Sequence, residues 1–499
     1  MSGSYLLGVD AGQTTVKAVV HDSAMAPIAW GRRSSPVSRP APGFAERTQA
    51  QLWSAAAGAI AEAVGRAGRL GIAPERIRAV GVSGHGDGLH LVDAAGAAVG
   101  PAITAMDTRA RAEAAELAGD GPRARTILDR SGQRPPAGGA GPLLRWLTRH
   151  DPGLLERAAT MLFCKDVIRL RLTGEVGTDL SDATATFLDT HTARWSTQVL
   201  EAFGLADLER LLPPLAESAA PGGAVTAAAA AATGLAEGTP VVVGLHDVQA
   251  NSIGMGALVP GRLALVAGSF STNGVTTTQV HVDPRWQSRV SITADLRIAM
   301  STSATAAPAL DWLLGLLGVD GDAERDALFA GAAALEAAEE VPLLLPYLVG
   351  APFDGPGTGT IAGLRGSHTR AHVLRGLLEG IALMHRLHAG ALAERFDWAE
   401  PVLLGGGLSR SPLYTQLVAD VMNAPVQAVS TAEAGAFGAA ALAGVGGGHF
   451  DSIEAVQELV PAAEPVPPRA ALRGYWEHVI GRFDELTRDL EPWWEGTTR

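Results

Sequence analysis

Short apolar runs recur along the chain, and most of them end at polar or glycine-rich turns. Residues 5–9 and 16–20 are apolar or β-branched and enclose one such turn, which predicts a β-hairpin. The stretch 79–93 predicts a strand, a glycine loop and a second strand. The first turn raises a question of chemistry, because an aspartate and two threonines stand where two apolar strands meet.

Segments with helical signals fill the intervals between these strands. Thr48 and Gln51 have the spacing of a capping box, and the alanine-rich run that follows them through Val64 predicts a helix. The region 109–172 is predicted to be largely helical, with Gly174 as a helix stop.

The second half of the chain repeats this alternation of strands and helices. Residues 240–261 predict a buried strand with a polar tip that passes into a helix, and 263–275 repeat the opening hairpin. We therefore expect an architectural duplication with a boundary near Pro260. The stretch 401–429 predicts a strand, a turn of three glycines and a helix with Pro412 in its first turn.

Composition limits the classes of function. The chain has 499 residues, enough for two or three domains, and 47% of them are hydrophobic, so it can build sizeable cores. Its net charge is −13 and it has no block of Lys and Arg, which argues against nucleic acid and anionic membranes as partners. The lone Cys164 excludes an internal disulfide and a cysteine-based metal cluster. With no secretory signal and no apolar run of about 20 residues, we expect a cytoplasmic protein.

The first turn combines groups that suit a phosphate. Backbone N–H groups at Gly12 and the hydroxyls of Thr14 and Thr15 would line a concavity for phosphate oxygens. Asp10 could hold Mg²⁺ directly or through water, and Lys17 adds positive charge. An ordinary glycine turn with surface polar residues is the alternative.

Two later turns strengthen the phosphate interpretation. The second hairpin turn carries Gly268, Ser269, Ser271 and Thr272. The third is a strand-to-helix turn in which glycines would let a flat ring approach the backbone; it comprises Gly405, Gly406, Gly407, Ser409 and Arg410. Two phosphate-type turns in two halves of one chain suggest a nucleotide held between domains.

Asp247 ends a predicted strand, where a carboxylate could accept a hydroxyl proton during phosphoryl transfer. An N-cap of the following helix is the alternative for an isolated aspartate. His85, Asp87, Asp107 and Arg109 could bind sugar hydroxyls, although each alone is more often structural.

The order of these segments resembles the FGGY family of carbohydrate kinases. The resemblance runs from about residue 5 to 445 and is carried by GVDAGQTTVKAVVHD, PGFAERTQAQLW, GVSGHGDGLHLVD, MDTRA, KDVIRLRLTG, TDLSDATATFLD, GTPVVVGLHDVQANSIGMG, VAGSFSTNG, LLGGGLSRSPLYTQLVADVMNAPV and EAGAFGAAALA. It implies an α/β protein with two domains of the actin-like, ribonuclease-H-like ATPase fold, and ATP–Mg²⁺ and sugar in the cleft between them. The implied domains are 1–255, which binds sugar and carries the first phosphate turn, and 256–445, which binds nucleotide. We expect 446–499 to be a peripheral helix plus a proline-rich linker.

The resemblance assigns roles residue by residue. Asp247 matches the family's general base, and Asp10 lies in its Mg²⁺- and phosphate-binding turn. Substrate contacts are implied for His85, Asp87 and Asp107. Nucleotide contacts are implied for Gly12, Thr14, Thr15, Gly268, Ser269, Ala307, Gly406, Gly407 and Arg410.

Departures from the family pattern concern the substrate. The stretch 84–88 reads GHGDG, where D-xylulose kinases usually carry Gln-Met-His-Gly and glycerol kinases an Arg-Glu pair. The form present resembles L-xylulose-type and erythritol-type kinases. The loop 350–355 also lacks the family's Gly-Glu-Arg.

We therefore expect a kinase that transfers the γ-phosphate of ATP to a ketopentose or a four- or five-carbon polyol, and we expect a homodimer. The alternative is a catalytically silent member of the same superfamily that binds sugar and nucleotide as a regulator.

Overall fold

The computed structural model describes residues 3–268 and 270–497, without the side chain of Thr497. The chain forms two compact units. Unit 1 comprises Met1–Pro260, Thr277–Ile298 and Thr431–Val460, and unit 2 comprises Gly261–Thr276, Ala299–Ser430 and Pro461–Arg499.

Strands and helices alternate in both units. The strands of unit 1 are β1 (Tyr5–Ala11), β2 (Thr15–His21), β3 (Pro27–Ser34), β4 (Glu46–Arg47), β5 (Ile77–Gly84), β6 (His90–Val92), β7 (Ala102–Ile103), β8 (Thr160–Leu162), β9 (Thr178–Asp179), β10 (Leu188–Asp189), β11 (Arg194–Trp195), β12 (Leu215–Ala216), β13 (Pro221–Ala224), β14 (Pro240–Val242), β15 (Leu245–His246) and β18 (Gln287–Val290). The strands that lie mainly in unit 2 are β16 (Arg262–Ala267), β17 (Ser271–Thr277), β19 (Arg297–Ser303), β20 (Leu343–Leu345), β21 (Thr360–Ala362), β22 (Ala399–Gly405) and β23 (Val426–Ala428).

The helices are divided in the same way. Those of unit 1 are α1 (Gln49–Arg69), α2 (Arg111–Ala118), α3 (Pro122–Ser131), α4 (Ala140–His150), α5 (Pro152–Arg157), α6 (Cys164–Thr173), α7 (Leu180–Ala183), α8 (Thr197–Phe203), α9 (Ala227–Thr233), α10 (Asp247–Gly254), α15 (Ala434–Gly446) and α16 (Ile453–Gln457). Those of unit 2 are α11 (Ala307–Leu316), α12 (Asp322–Ala333), α13 (Arg370–Ala393), α14 (Pro412–Met422) and α17 (Arg473–Thr497). Short 3₁₀ turns lie at Pro74–Arg76, Ala206–Leu211, Pro352–Asp354, Gly407–Arg410 and Ala470–Leu472.

The main sheet of unit 1 has the order β13-β14-β5-β1-β2-β3, with β15 also paired to β5. The β1–β2 and β2–β3 pairs are antiparallel, whereas β5 runs parallel to β1 and β14 parallel to β5. In unit 2 the order β19-β17-β16-β22-β23 repeats the arrangement around an antiparallel β16–β17 hairpin and a parallel β16–β22 pair. In both sheets the hairpin's second strand has a further neighbour, β3 or β19, and a later strand, β5 or β22, pairs in parallel with the hairpin's first strand.

The two faces of β1 bury different partners, because successive side chains of a strand point to opposite faces. Leu7, Val9 and Ala11 belong to a core that also contains Leu52 and Ile60 of α1. Helix α1 begins at the predicted capping box, in which the Gln51 N–H donates to the Thr48 hydroxyl and the Gln51 side chain accepts from the Thr48 N–H.

Helix α15 covers the other face of β1 at very close range. A β-carbon added to Gly8 would lie 1.8 Å from the carbonyl oxygen of Ala436. The same addition at Gly81 in β5 would lie 1.9 Å from the carbonyl oxygen of Ala439. Glycines in neighbouring strands therefore let the backbone of α15 rest on the sheet.

The C-terminal region differs from the expected linker. The segment 461–468 pairs with the edge strand β23: the Val426 N–H donates to the Val466 carbonyl, and the Ala463 N–H to the Ala428 carbonyl. Edge strands carry unpaired backbone groups, and this segment satisfies them. Helix α17 follows and buries Trp476, Phe483 and Trp494, whose exposures are 2–3%.

Within residues 3–268 and 270–497, no helix combines the length and apolar character needed to cross a bilayer.

Candidate active site

Strand register places three polar side chains side by side in unit 1. Asp10 in β1 pairs with Lys17 in β2 and with Ser83 in β5, so the three form a row across the sheet. The Ser83 hydroxyl donates to Oδ1 of Asp10 at 3.2 Å. Asp10 therefore lies at the carboxyl end of a central strand, on the face that α15 covers.

The turn that follows Asp10 is held by the backbone. The Gly12 N–H donates to the Thr15 carbonyl at 3.0 Å, and the Arg47 guanidinium donates to the Gln13 carbonyl at 2.5 Å. Thr14 is exposed at the tip, and Thr15 is half-buried. The geometry keeps this predicted phosphate turn open to solvent.

The N-terminus of α15 meets the carboxylate of Asp10. A β-carbon on Gly435, in the first turn of α15, would lie 2.7 Å from the Asp10 carboxyl carbon. Glu433, the residue just before α15, accepts from Lys17 at 2.5 Å. Helix N-termini favour negative charge, so α15 favours the ionised carboxylate and any phosphate beside it.

Asp247 is the first residue of α10 and follows β15, which pairs with the end of β5. Its side chain is 31% exposed, and its Oδ1 lies 3.1 Å from Nε2 of His246. Burial by itself would raise the pKa of Asp247, but the hydrogen bond from His246 and the charge of that ring hold the pKa below its usual value. Asp247 is therefore a carboxylate at neutral pH.

The pKa of Asp10 is shifted in the opposite direction to that of Asp247. Burial, and then the nearby charge of Asp247, raise the pKa of Asp10 to about 6, against the lowering effects of Lys17 and the Ser83 hydroxyl. The negative charge of Asp247 thus acts on Asp10, and Lys17 and Ser83 do not cancel the combined effect of burial and that charge.

A hard divalent cation fits this excess of negative charge. Mg²⁺ prefers oxygen ligands and is usually bound by one or two carboxylates together with substrate phosphates and water. The described residues hold no cluster of three or more His, Cys, Asp or Glu side chains that could bind a metal by themselves. The donor set therefore suits Mg²⁺ brought in with a phosphate ligand better than a metal cage made by the protein alone.

His85 and Asp87 follow β5. Burial and the charge of Arg47 lower the pKa of His85 to about 4, so its ring is neutral at physiological pH. Asp87 has a left-handed backbone with φ 57°, and its Oδ2 lies 3.8 Å from Arg289. Its Oδ1 is buried and has no hydrogen-bond donor among the described residues.

Asp107 lies in a different setting. Its side chain is fully buried and pairs with the Arg109 guanidinium at 2.7 Å, and it also accepts from the backbone N–H groups of Ala45 and Arg109. Arg109 in turn pairs with Glu46 at 2.8 Å. These partners explain Asp107 as a structural residue, and its contact with sugar stays a prediction.

Several of the predicted nucleotide residues gather at one end of the unit 2 sheet. The Ala307 N–H, at the start of α11, donates to the Gly268 carbonyl at 3.0 Å. Gly406 has φ 89°, and a β-carbon there would lie 2.5 Å from the Ala267 carbonyl oxygen. Gly407 and Arg410 are exposed in the short 3₁₀ turn beyond it. Ser269, also predicted, lies outside the described residues.

Comparison with known proteins decides the family. The model of the FGGY carbohydrate kinase N-terminal domain matches residues 5–254, and that of the C-terminal domain matches residues 263–447. The chain belongs to the FGGY family of carbohydrate kinases. The resemblance seen in the sequence is confirmed, and so are the α/β class with two sheet-containing units and the assignment as a sugar kinase that uses ATP.

Similar members of the family match over nearly the whole chain. An L-xylulose/3-keto-L-gulonate kinase of Escherichia coli (strain K12) is 29% identical, with 98% of this chain and 97% of the relative covered. An erythritol kinase of Brucella abortus (strain 2308) is 27% identical, with 99% and 98% covered. The crystal structure of a xylulose kinase from Rhodospirillum rubrum has a TM-score of 0.90 at 30% identity, with 98% and 100% covered.

Sequence reasoning missed several residues around Asp247. His246 contacts Asp247 directly, Asp182 and Lys165 lie behind His246, and Arg289 approaches Asp87. Lys165 and Asp182 lie in segments that carry the family resemblance, but their side chains meet only in the fold. His246 had a local signal, because it precedes the proposed base at the same strand tip.

Proposed function

We propose that this FGGY kinase transfers the γ-phosphate of ATP to a hydroxyl of a ketopentose or of a four- or five-carbon polyol. The observation that carries the proposal is the pair of Asp10 and Asp247 at the ends of two strands, β1 and β15, that both pair with β5, with Asp247 ionised and part-exposed. The names of similar family members, which include L-xylulose, xylulose and erythritol kinases, support the substrate class.

In this proposal Asp247 is the catalytic base. Phosphoryl transfer asks the protein mainly to position the reactants and to balance charge, and a carboxylate is enough to take the hydroxyl proton late in the reaction. The hydrogen bond from His246 keeps Asp247 ionised and therefore ready to accept that proton.

Asp10 would hold Mg²⁺, directly or through water, together with phosphate oxygens of ATP. When bound, the cation supplies positive charge that offsets the charge on those oxygens. Asp10 is suited to this role because burial, and then the charge of Asp247, disfavour its ionisation and raise its pKa, so a cation nearby would stabilise the ionised carboxylate.

The remaining predicted residues are assigned to nucleotide and substrate. Nucleotide contacts are proposed for Gly12, Thr14, Thr15, Lys17, Gly268, Ser269, Ala307, Gly406, Gly407 and Arg410. Lys17 shares its charge with Glu433, so we expect it to contribute less to phosphate binding than a free lysine would. His85, Asp87 and Asp107 are proposed for the substrate side. A cytoplasmic location and a homodimer stay predictions.

A coupled ADP-release assay over pentuloses, tetritols, pentitols and glycerol tests the function. We expect sugar-dependent ADP release with at least one pentulose, tetritol or pentitol, well above release without acceptor. Activity on glycerol alone would refute the substrate class. ATP binding with no acceptor-dependent release from any compound would instead support the silent regulator.

The role of Asp10 is tested by titrating Mg²⁺ at saturating ATP. We expect Asp10→Asn to raise the Mg²⁺ concentration for half-maximal activity by about tenfold or more. Asp326→Asn, an exposed aspartate in α12, is the matched control and should leave the titration unchanged. An unchanged titration in Asp10→Asn would remove Asp10 from metal binding.

A further inference from the structure

His246 lies between two carboxylates. Its Nε2 is 3.1 Å from Oδ1 of Asp247, and its Nδ1 is 3.6 Å from Oδ1 of Asp182. The ring is almost fully buried, with 5% of the side chain exposed. Asp247 therefore acts on the ring through a hydrogen bond, whereas Asp182, at a distance too long for a hydrogen bond, acts on it through its charge.

Packing fixes the same ring from the side. A β-carbon on Gly86 would lie 2.0 Å from Cε1 of His246, so the ring occupies the place where any other residue would have its side chain. The backbone is also held, because the His246 N–H donates to the Ser181 hydroxyl at 2.9 Å. The loop 84–88 and the residue before Asp247 are therefore built to fit one another.

The charges around Asp182 favour a protonated His246 ring beside it. Its fully buried carboxylate lies 3.1 Å from Lys165, which also pairs with Asp166 at 2.5 Å and with Asp179 at 3.0 Å. Burial raises the pKa of Asp182, against the lowering effects of Lys165 and His246, and whenever Asp182 is ionised one ammonium against three carboxylates leaves an excess of negative charge. Such unbalanced buried charge is costly. A proton on Nδ1 of His246 offsets part of that excess.

We propose that His246, held by Asp182 and Gly86, is a positioning residue for phosphoryl transfer. It donates from Nε2 to one oxygen of Asp247, so that the other oxygen faces the substrate hydroxyl. During transfer the hydroxyl O–H bond breaks and its proton goes to Asp247, while a new bond forms between that oxygen and the γ-phosphorus. The bond from the γ-phosphorus to the bridging oxygen breaks, and ADP leaves with that electron pair. This role rests on the proposed function.

Replacing His246 tests the role. His246→Ala removes the donor and should lower kcat by at least tenfold, with the KM for ATP changed less than threefold. His246→Gln keeps an N–H donor at similar reach and should recover most of that loss. His478→Gln, an exposed histidine of α17, is the control and should match the wild type.

Two further readouts separate positioning from simple structural support. Gly86→Ala should lower kcat when it is made in the wild type. In the His246→Ala background it should lower kcat little further, because the ring with which the new methyl group would clash is absent.

Asp182→Asn should move the acidic limb of the kcat–pH profile. The charged or titratable groups that face His246 are Asp182 from α7, Asp247 from α10, Arg289 from β18 and His85 from the loop after β5, with Lys165 of α6 behind Asp182.

Turnover of His246→Ala within threefold of the wild type, with an unchanged pH profile, would overturn the proposal. If Asp247→Asn is inactive in the same assay, that result leaves the proposed function intact and rejects only the role of His246. If the wild type itself phosphorylates no acceptor, the proposed function fails instead.

Discussion

At the scale of single residues, glycines decide how closely α15 approaches the sheet and therefore where its N-terminus meets Asp10. Gly8 and Gly81 lie opposite one another in β1 and β5, and each contacts a carbonyl oxygen of α15 where a methyl group would overlap it. Because the obstacle is backbone, no side-chain rotation can relieve the overlap.

We predict that Gly81→Ala destabilises unit 1 by about 1–3 kcal/mol or more, since α15 must move away from β5. Gly68→Ala in α1 is the matched control, because a β-carbon there meets no atom within 4 Å and alanine favours the helix. Thermal unfolding of the two variants measures the difference. Equal midpoints for both would contradict the close-packing argument.

The sequence predicts the carboxylates of the site better than their surroundings. Asp10 and Asp247 are predicted from the sequence because each lies at the end of an apolar strand, and in the structure both of those strands pair with β5. The partners of Asp247 were missed because His246, Asp182 and Lys165 come from three elements whose meeting depends on tertiary packing. Contacts between distant segments produce no periodic pattern of hydrophobic and polar residues from which they could be predicted.

At the scale of elements, helix α13 carries two buried histidines in a polar network of unit 2. Nδ1 of His385 lies 2.6 Å from the Asn273 side-chain oxygen, and Nδ1 of His388 lies 2.7 Å from the Ser301 hydroxyl. Burial lowers the pKa of His385 to about 3 and that of His388 to about 4. Both rings are therefore neutral in the folded protein.

This network should make unit 2 sensitive to acid. Between about pH 6.5 and pH 4 the unfolded chain binds protons at these histidines and the folded chain does not, so stability falls as the pH falls. Each histidine contributes up to about 1.4 kcal/mol per pH unit in that window.

We predict that His385→Gln, which keeps a donor to Asn273 but cannot titrate there, loses less thermal stability than the wild type between pH 7 and pH 5. The unfolding midpoint measured at both pH values gives the comparison, and the exposed His478→Gln is the control. A wild-type-like loss in His385→Gln would show that His385 does not titrate as its burial implies.

The elements themselves were largely predictable, because hairpins, caps and helix stops depend on local sequence. The capping box at Thr48, the stop at Gly174 and the helix starting at Pro412 are confirmed. The expectation that segment 461–468 is a linker is wrong. It was based on the prolines of the segment, and proline content does not indicate that a segment pairs with a distant edge strand. The two backbone hydrogen bonds named above join residues 40 and 35 positions apart in the chain, so this pairing is a tertiary property.

At the scale of the whole molecule, an acidic protein binds a highly charged anion through local features. The chain carries a net charge of −13. We therefore propose that the first turn of α15 and the open turn after Asp10 supply the local groups that bind phosphate. Long-range attraction thus plays little part, and binding of ATP should depend on the cation that accompanies it. Ligand binding of this kind stabilises the folded protein by mass action.

The most direct test of the account compares Asp247→Asn with the wild type, using the best acceptor from the substrate panel. We predict that kcat for acceptor phosphorylation falls by about 10²–10⁴, while ATP–Mg²⁺ still raises the unfolding midpoint as it does in the wild type. A variant that keeps turnover within about tenfold of the wild type would contradict the assignment of Asp247 as the catalytic base.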